Sequence, residues 1–305
     1  MKPKILVTRA IFPQIIQYLS EHFDVEDNQN DEGYDDAELV RRLQGKVGVF
    51  ASPSHRFTAE LFAACPTLKA VCNMAVGYNN IDVPASTAAG VMVTNTPDVL
   101  NETTADFGWT LMMAAARRVS ESEHYLRAGL WKKSHYLDFL GVDVHGSTLG
   151  VIGMGRIGQA IARRSMGFNM KVVYHNRTRL APELEKAANN AHYLSRDELL
   201  RTADHVILVL PYSPAVHHLI GAEQLALMKP TATLVNIARG GIVDDAALIN
   251  ALKAGQIAAA GVGASPSLWK LPQSCGLLLA RASASLARVW SVLGAWRVWN
   301  LSAHL

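Results

Sequence analysis

From Gly263 to Leu305 the chain contains no aspartate and no glutamate, although 26 acidic residues stand before that point. The net charge of +3 comes from this same segment: without Lys270, Arg281, Arg288 and Arg297 the body holds 25 basic against 26 acidic residues. A near-neutral body has no single-sign field of the kind that recruits nucleic acid or an anionic membrane, so neither is expected as a partner. Cysteine is scarce. Cys65, Cys72 and Cys275 show no paired ligand spacing and leave one over if two were bridged, which excludes a disulfide framework and favours reduced thiols in a cytoplasmic setting. Long apolar runs are also missing. The opening "MKPKILVTRAIFPQ" has none of secretory length, and the one membrane candidate, "LLLARASASLARVWSVLGAW", is interrupted by Arg281 and Arg288; neither a signal peptide nor a spanning helix is expected.

What is present is alternation. "KILVT", "VGVFA", "KAVCN" and "VMVTN" read as strands, separated by segments such as "PQIIQYLSEHF" and "TAELFAAC" whose apolar positions recur at helical spacing. "NETTADFGWTLMMAAARRVSESEHYLRAG" has no proline and a single internal glycine, which predicts one long connector helix. A second series follows, "STLGVIG", "KVVYHN", "HVILVLP", "ATLVNI" and "IAAAG". The expected fold is α/β, two doubly wound parallel-sheet units joined by the long helix. The boundaries read as residues 1–100, 101–262 with the connector, and an atypical tail 263–305. The tail holds four of the six tryptophans, and no strand can be placed in it.

"TLGVIGMGRIGQAIARRSMGFNMKVVYHNRT" carries the chemistry. Gly153, Gly155 and Gly158 form GxGxxG between a strand and a helix: the first permits the tight turn, the second lets main chain approach a pyrophosphate, and the third allows close packing of helix on strand. The helix N-terminus adds free amides and positive potential, and Arg156 and Ile157 in the same turn are cofactor candidates. An acid at the end of the next strand would accept from a ribose 2′-hydroxyl. Here the chain reads Asn176, Arg177, Thr178, Arg179, neutral groups and guanidiniums suited to a 2′-phosphate. NADPH is therefore expected over NADH.

Together with "NMAVGYNNID", "TPDVLNETTAD", "LPYSPAVHHLIG" and "NIARGGIVDDAAL", these motifs give a sequence that resembles the D-isomer-specific 2-hydroxyacid dehydrogenases, most closely their glyoxylate, hydroxypyruvate and 2-ketogluconate reductase branch. The resemblance covers residues 1 to about 262. It implies reduction of a small 2-keto acid to the D-2-hydroxy acid by a homodimer paired through its cofactor domains; the apolar "WTLMMAAA" run fits either part of that surface or a helix buried within its own unit. It also implies that the Val76 and Gly77 amides hold the substrate carboxylate. Thr104, Pro211 and Ala238 would neighbour the nicotinamide, and Arg239 would clamp the carboxylate and polarise the ketone. His217 and His218 fall where the family has a histidine of no catalytic role.

The same resemblance implies an aspartate and a glutamate in a pattern like GLDVFxxEP, and an acid histidine in a later PHIGSxT. Here Gly263 stands at the aspartate's place and Leu268 near the glutamate's, no PHIGSxT follows, and the only later histidine is His304. Simultaneous loss of acid, partner, carboxylates and alternation at one junction suggests out-of-frame translation after about Val262. A genuine tail with a binding role is the alternative. The activity of the chain then stands between two readings, a reductase and a dinucleotide-binding protein without efficient catalysis.

Overall fold

The computed structural model describes residues 1–134, 137–263 and the main chain of 277–279. Residues Met1–Leu100 belong to one compact unit, and a second unit begins at Asn101. The first holds β1 (Lys4–Val7), α1 (Pro13–His22), β2 (Asp24–Glu26), α2 (Asp36–Leu43), β3 (Gly48–Ala51), α3 (Ala59–Ala64), β4 (Ala70–Asn73), α4 (Val83–Ala88) and β5 (Met92–Thr94). All pairings are parallel, in the order β2-β1-β3-β4-β5. The helices start where short polar side chains can accept a first-turn amide: Asp35 takes Glu38 N–H, Thr58 takes Leu61 N–H and Asp82 takes Ala85 N–H. Leu6, Leu39, Val49, Phe57 and Val71 fill the core between layers. The three-residue β2 is an edge strand that sequence reading missed, because "DVE" has neither length nor a buried residue to announce it.

The second unit is classically doubly wound. Its elements are α5 (Asn101–Ala116), α6 (Val119–Arg127), β6 (Thr148–Ile152), α7 (Arg156–Arg164), β7 (Lys171–His175), α8 (Pro182–Ala187), β8 (His192–Tyr193), α9 (Arg196–Thr202), β9 (His205–Leu208), α10 (Ala222–Leu227), β10 (Thr233–Asn236), α11 (Asp245–Lys253), β11 (Ala259–Val262) and β12 (Leu277–Leu279). The sheet runs β12-β11-β10-β9-β6-β7-β8 and is parallel throughout. Strands β9, β10 and β11 are buried at every position, as a sheet covered by helices on both faces requires. Small residues let those helices close in: a Cβ on Gly150 would meet Ala203 Cβ of the α9 side at 2.8 Å, and one on Gly261 would meet Leu111 Cβ of α5 at 3.1 Å. At the opposite end of the central strands, both ring nitrogens of buried His205 are engaged, with Thr233 Oγ1 at 2.8 Å and the Asp143 carbonyl at 3.1 Å. Burial pushes its pKa down.

The expected single connector helix is two helices. Arg118 adopts a left-handed conformation, φ 53°, between α5 and α6. The segment before β6 explains the break. Val142 N–H takes the Ala116 carbonyl at 2.9 Å, and Gly141 lies directly against that same carbonyl. The Arg118 guanidinium, turned out by the break, binds Glu121 in two-pronged fashion and lies 5.2 Å from the Phe139 ring. Of the two readings open for "WTLMMAAA", the buried helix is the one observed: Leu111, Met112, Ala115 and Ala116 are buried in α5, within the unit's own core. Strand β12 lies in the segment where none was placed. Leu268, Cys275, His304 and the tail tryptophans lie outside the described residues, as does the proposed junction's downstream side; the membrane candidate does too, except for Leu277–Leu279. Among the described residues no helix is long and apolar enough to cross a membrane.

Because a methyl at position 141 would be driven into the Ala116 carbonyl, Gly141→Ala should cost about 1–3 kcal/mol of stability. A thermal melt followed by circular dichroism should show a Tm several degrees lower, and an unchanged Tm would refute the packed helix break.

Candidate cofactor and substrate-anion site

In the second unit the chain order reverses at β6, where β7 lies on one side and β9 on the other, so the crevice beyond their carboxyl ends is the natural ligand position. Gly153 leaves β6 with φ 106°, and a Cβ there would stand 2.6 Å from the Val209 carbonyl oxygen at the end of β9. No side chain fits. Gly158 lies in the first turn of α7 directly against the Gly153 carbonyl, which seats the helix on the turn. Between them Gly155 is the N-cap of α7, and a Cβ there would meet nothing within 4 Å. That open side faces first-turn amides with no side-chain cap and no acid in the first turn, an anion site by geometry and dipole together. Arg156 and Ile157 are the first two helical residues, Arg156 exposed and Ile157 half-buried.

The loop after β7 is brought to this turn by hydrogen bonds. Gly153 N–H donates to the His175 carbonyl at 3.1 Å, and Met154 N–H donates to Asn176 Oδ1 at 2.7 Å. Asn176 is thus spent on shaping the turn. Arg177 and Thr178 are exposed, and Arg177 has no hydrogen bond or ion pair among the described residues. Arg179, grouped with them on sequence, is committed elsewhere: Nε and Nη2 bind Glu185 Oε1 and Oε2 at 2.8 and 3.0 Å. Sequence reading missed Tyr174, Glu185 and Tyr193, which support this loop, because their partners are separated from it in the chain.

Pro211 follows β9, and Ala238 follows β10. Gly108 of α5 packs so tightly on Ile237 that a Cβ would meet Ile237 Cδ1 at 2.8 Å; Thr104, one turn earlier, shares that face of the helix. Asn236 sets the next loop by accepting Ala238 N–H at 3.0 Å and donating to the Arg239 carbonyl at 3.0 Å. The exposed Arg239 donates from Nη1 to the Ala238 carbonyl at 2.8 Å. His217 and His218 stack at 4.0 Å beside this loop, His218 N–H binding the Gly241 carbonyl at 2.7 Å and Tyr212 Oη lying 3.0 Å from His217 Nδ1. They brace the loop that carries Arg239.

Val76 and Gly77 belong to the first unit, in the turn after β4. Asn95 Nδ2 donates to the Val76 carbonyl and Asn73 Nδ2 to the Gly77 carbonyl, each at 2.9 Å. Both carbonyls are thereby tied back, while neither N–H has a partner among the described residues. Two adjacent unpaired amides in a half-buried turn suit an anionic oxygen. The two asparagines were not singled out from sequence, although Asn73 stands inside the "NMAVGYNNID" motif.

The strand order and the glycine turn at its reversal define a dinucleotide-binding protein of the doubly wound α/β class. Residues 109–265 match the family model described as D-isomer specific 2-hydroxyacid dehydrogenase, NAD binding domain, and the chain belongs to that family of NAD(P)-dependent oxidoreductases. A glyoxylate reductase of Thermococcus onnurineus is 48% identical over 266 residues, 86% of this chain and 79% of the relative. Among solved structures, a glyoxylate reductase from Paecilomyes thermophila is 31% identical with a TM-score of 0.83, covering 97% of this chain and 95% of that one. An NADPH-dependent glyoxylate/hydroxypyruvate reductase from Sinorhizobium meliloti, in complex with NADP and malonate, is 30% identical with a TM-score of 0.82, covering 97% and 94%.

Gly153→Ala should abolish dinucleotide binding, because the added methyl must displace main chain of β9 and φ 106° is strained for any L side chain. Quenching of protein fluorescence by NADPH reports it; a Gly153→Ala protein that titrates like wild type would contradict the turn geometry.

Proposed function

We propose that the protein reduces a small 2-keto acid, glyoxylate foremost with hydroxypyruvate and 2-ketogluconate as the other members of the class, to the D-2-hydroxy acid, using NADPH. The activity of the Thermococcus and Paecilomyes relatives supports the substrate class. The observation that supports the substrate anion is the Val76–Gly77 turn, with its carbonyls tied back and its amides without a partner among the described residues. For the cofactor, the absence of an acid at the carboxyl end of β7, where Asn176 and Arg177 stand, and an Arg177 without a partner among the described residues favour a 2′-phosphate, in line with the NADP bound by the Sinorhizobium relative. Residues 1–100 then serve the substrate and residues 101–262 the cofactor, with Gly153, Gly155, Arg156, Ile157 and Gly158 at the pyrophosphate, Asn176, Arg177 and Thr178 at the adenosine phosphate, and Thr104, Pro211 and Ala238 at the nicotinamide.

Held at the glycine turn of Gly153, Gly155 and Gly158, a nicotinamide cofactor would supply hydride for the keto carbon. Arg239 would bind the carboxylate and polarise the ketone, its charge gaining value as the carbonyl electron pair moves onto oxygen. The resulting alkoxide needs a proton. From Gly263 onward the chain offers no carboxylate and only His304, and a side chain at Gly263 itself would meet Phe107 Cε1 at 2.9 Å. Without a positioned acid the proton would have to come from water, which would make turnover slow. We read the tail as out-of-frame from about Val262, the match to the family model ending at residue 265; the nucleotide sequence across the codons for residues 255–275 tests this, and the same codons found in frame would make the tail genuine. A second reading, a dinucleotide-binding protein without catalysis, is favoured by the same missing acid.

The second copy of a homodimer would cover the apolar side chains that α6 and the following segment leave exposed: Val119, Leu126, Leu130, Trp131, Leu137 and Leu140. Trp131→Glu should shift the protein from dimer to monomer in light scattering after size exclusion, and a monomeric wild type would end this reading. For the chemistry, NADPH oxidation with glyoxylate should run about 10²–10⁴-fold below that of a relative with its acid in place. Arg239→Gln should remove both this residual rate and the binding of oxalate to the NADPH-loaded protein. Full-speed turnover would refute the missing proton donor, and NADPH binding with no turnover at all would favour the second reading.

A further inference from the structure

The loop that presents Arg177 stands on a polar network that the reading above does not use. Tyr174, the fourth residue of β7, is fully buried; its hydroxyl accepts Leu180 N–H at 2.8 Å and donates to Glu185 Oε1 at 2.7 Å. Tyr193 Oη donates to the Asn176 carbonyl at 3.2 Å. Main chain from Asn176 to Leu180 is thus held at both ends, with Arg177 and Thr178 exposed between them. Arg179 closes the network on both oxygens of Glu185. The bonds from Arg179 and Tyr174 hold the Glu185 carboxyl down at about 2, while burial and the Glu185 bond push the Tyr174 hydroxyl up to about 12. At neutral pH the acid is therefore ionised and the phenol protonated.

A fixed carboxylate here is awkward for a phosphorylated ribose, since like charges repel through a partly screened surface. The loop nevertheless needs Glu185, because the Tyr174 hydroxyl that receives Leu180 N–H spends its proton on it. Arg179 reconciles the two demands by matching the charge at the carboxylate itself.

We propose that Arg179 is a positioning residue for cofactor selectivity and not a phosphate ligand: it neutralises Glu185, so that a carboxylate bracing the loop does not repel the 2′-phosphate, and Arg177 makes the contact. This rests on the NADPH reading, and the test separates the two. NADPH and NADH are titrated against the full-length protein by nicotinamide fluorescence, at low and high NaCl, with a melt recorded for every variant. Arg177→Ala should weaken NADPH about tenfold or more while NADH changes less than about twofold; no loss, or tighter NADH binding by wild type, defeats the NADPH reading. Arg179→Ala should weaken NADPH about fivefold, with the deficit shrinking as salt rises. Adding Glu185→Gln to Arg179→Ala should restore NADPH binding to within about twofold of wild type. A double variant as weak as Arg179→Ala would make Arg179 a direct ligand and overturn the proposal, as would an Arg179→Ala protein that binds NADPH normally. Should Arg179→Ala fail to fold, Glu185→Gln alone decides: NADPH affinity holds or rises, and a fivefold fall overturns the shielding role.

Discussion

The second unit depends on one close approach, the Gly153 main chain against the carboxyl end of β9. A single Cβ would bring it within 2.6 Å of the Val209 carbonyl, so three strand ends can converge only because no side chain is there. Val209 N–H binds the Ile152 carbonyl, Gly153 N–H binds the His175 carbonyl, and Met154 N–H binds Asn176 Oδ1. These bonds draw β6, β7 and β9 to one point. Gly158 against the Gly153 carbonyl then fixes where α7 begins, and the uncapped amides of α7 open onto the crevice. The loop carrying Arg177 arrives beside them by the same contacts, so the phosphate end of the site follows from the turn.

Charge in this unit is distributed by commitment. Among the guanidiniums near the site, Arg179 is bound to Glu185, and Arg239 is steadied by the Ala238 carbonyl within a loop shaped by Asn236 and braced by the histidine pair. Arg177 alone of these has no partner among the described residues. In the first unit the same kind of commitment works through amide side chains instead of charge: Asn73 and Asn95 occupy the carbonyls of Gly77 and Val76, while the N–H groups of that turn have no partner among the described residues.

Where strands were fully buried, the sequence announced them, because a covered parallel strand must be a continuous apolar run. "HVILVLP" and "ATLVNI" contain β9 and β10. The edge strands β2 and β8 escaped notice, having three and two residues and no face buried on both sides. The break between α5 and α6 was equally invisible. Helix propensity across Arg117–Arg118 is good, and the interruption comes from Val142 capturing the Ala116 carbonyl, a contact across more than twenty residues of chain. Grouping Arg177 with Arg179 was reasonable for adjacent cations, yet Glu185 divided them.

The sequence by itself determined the architecture, the glycine turn, the absence of an acid at the carboxyl end of β7 and the absence of carboxylates beyond Val262, because periodicity, backbone permissiveness and the presence or absence of a functional group are local properties of the chain. Only the tertiary structure decided which amides and guanidiniums remain uncommitted, where the connector helix ends, and which apolar side chains are left outside. Each of those is settled by competition among partners distant in sequence, and a hydrogen-bonding group has no assigned use until the fold has brought its competitors within reach.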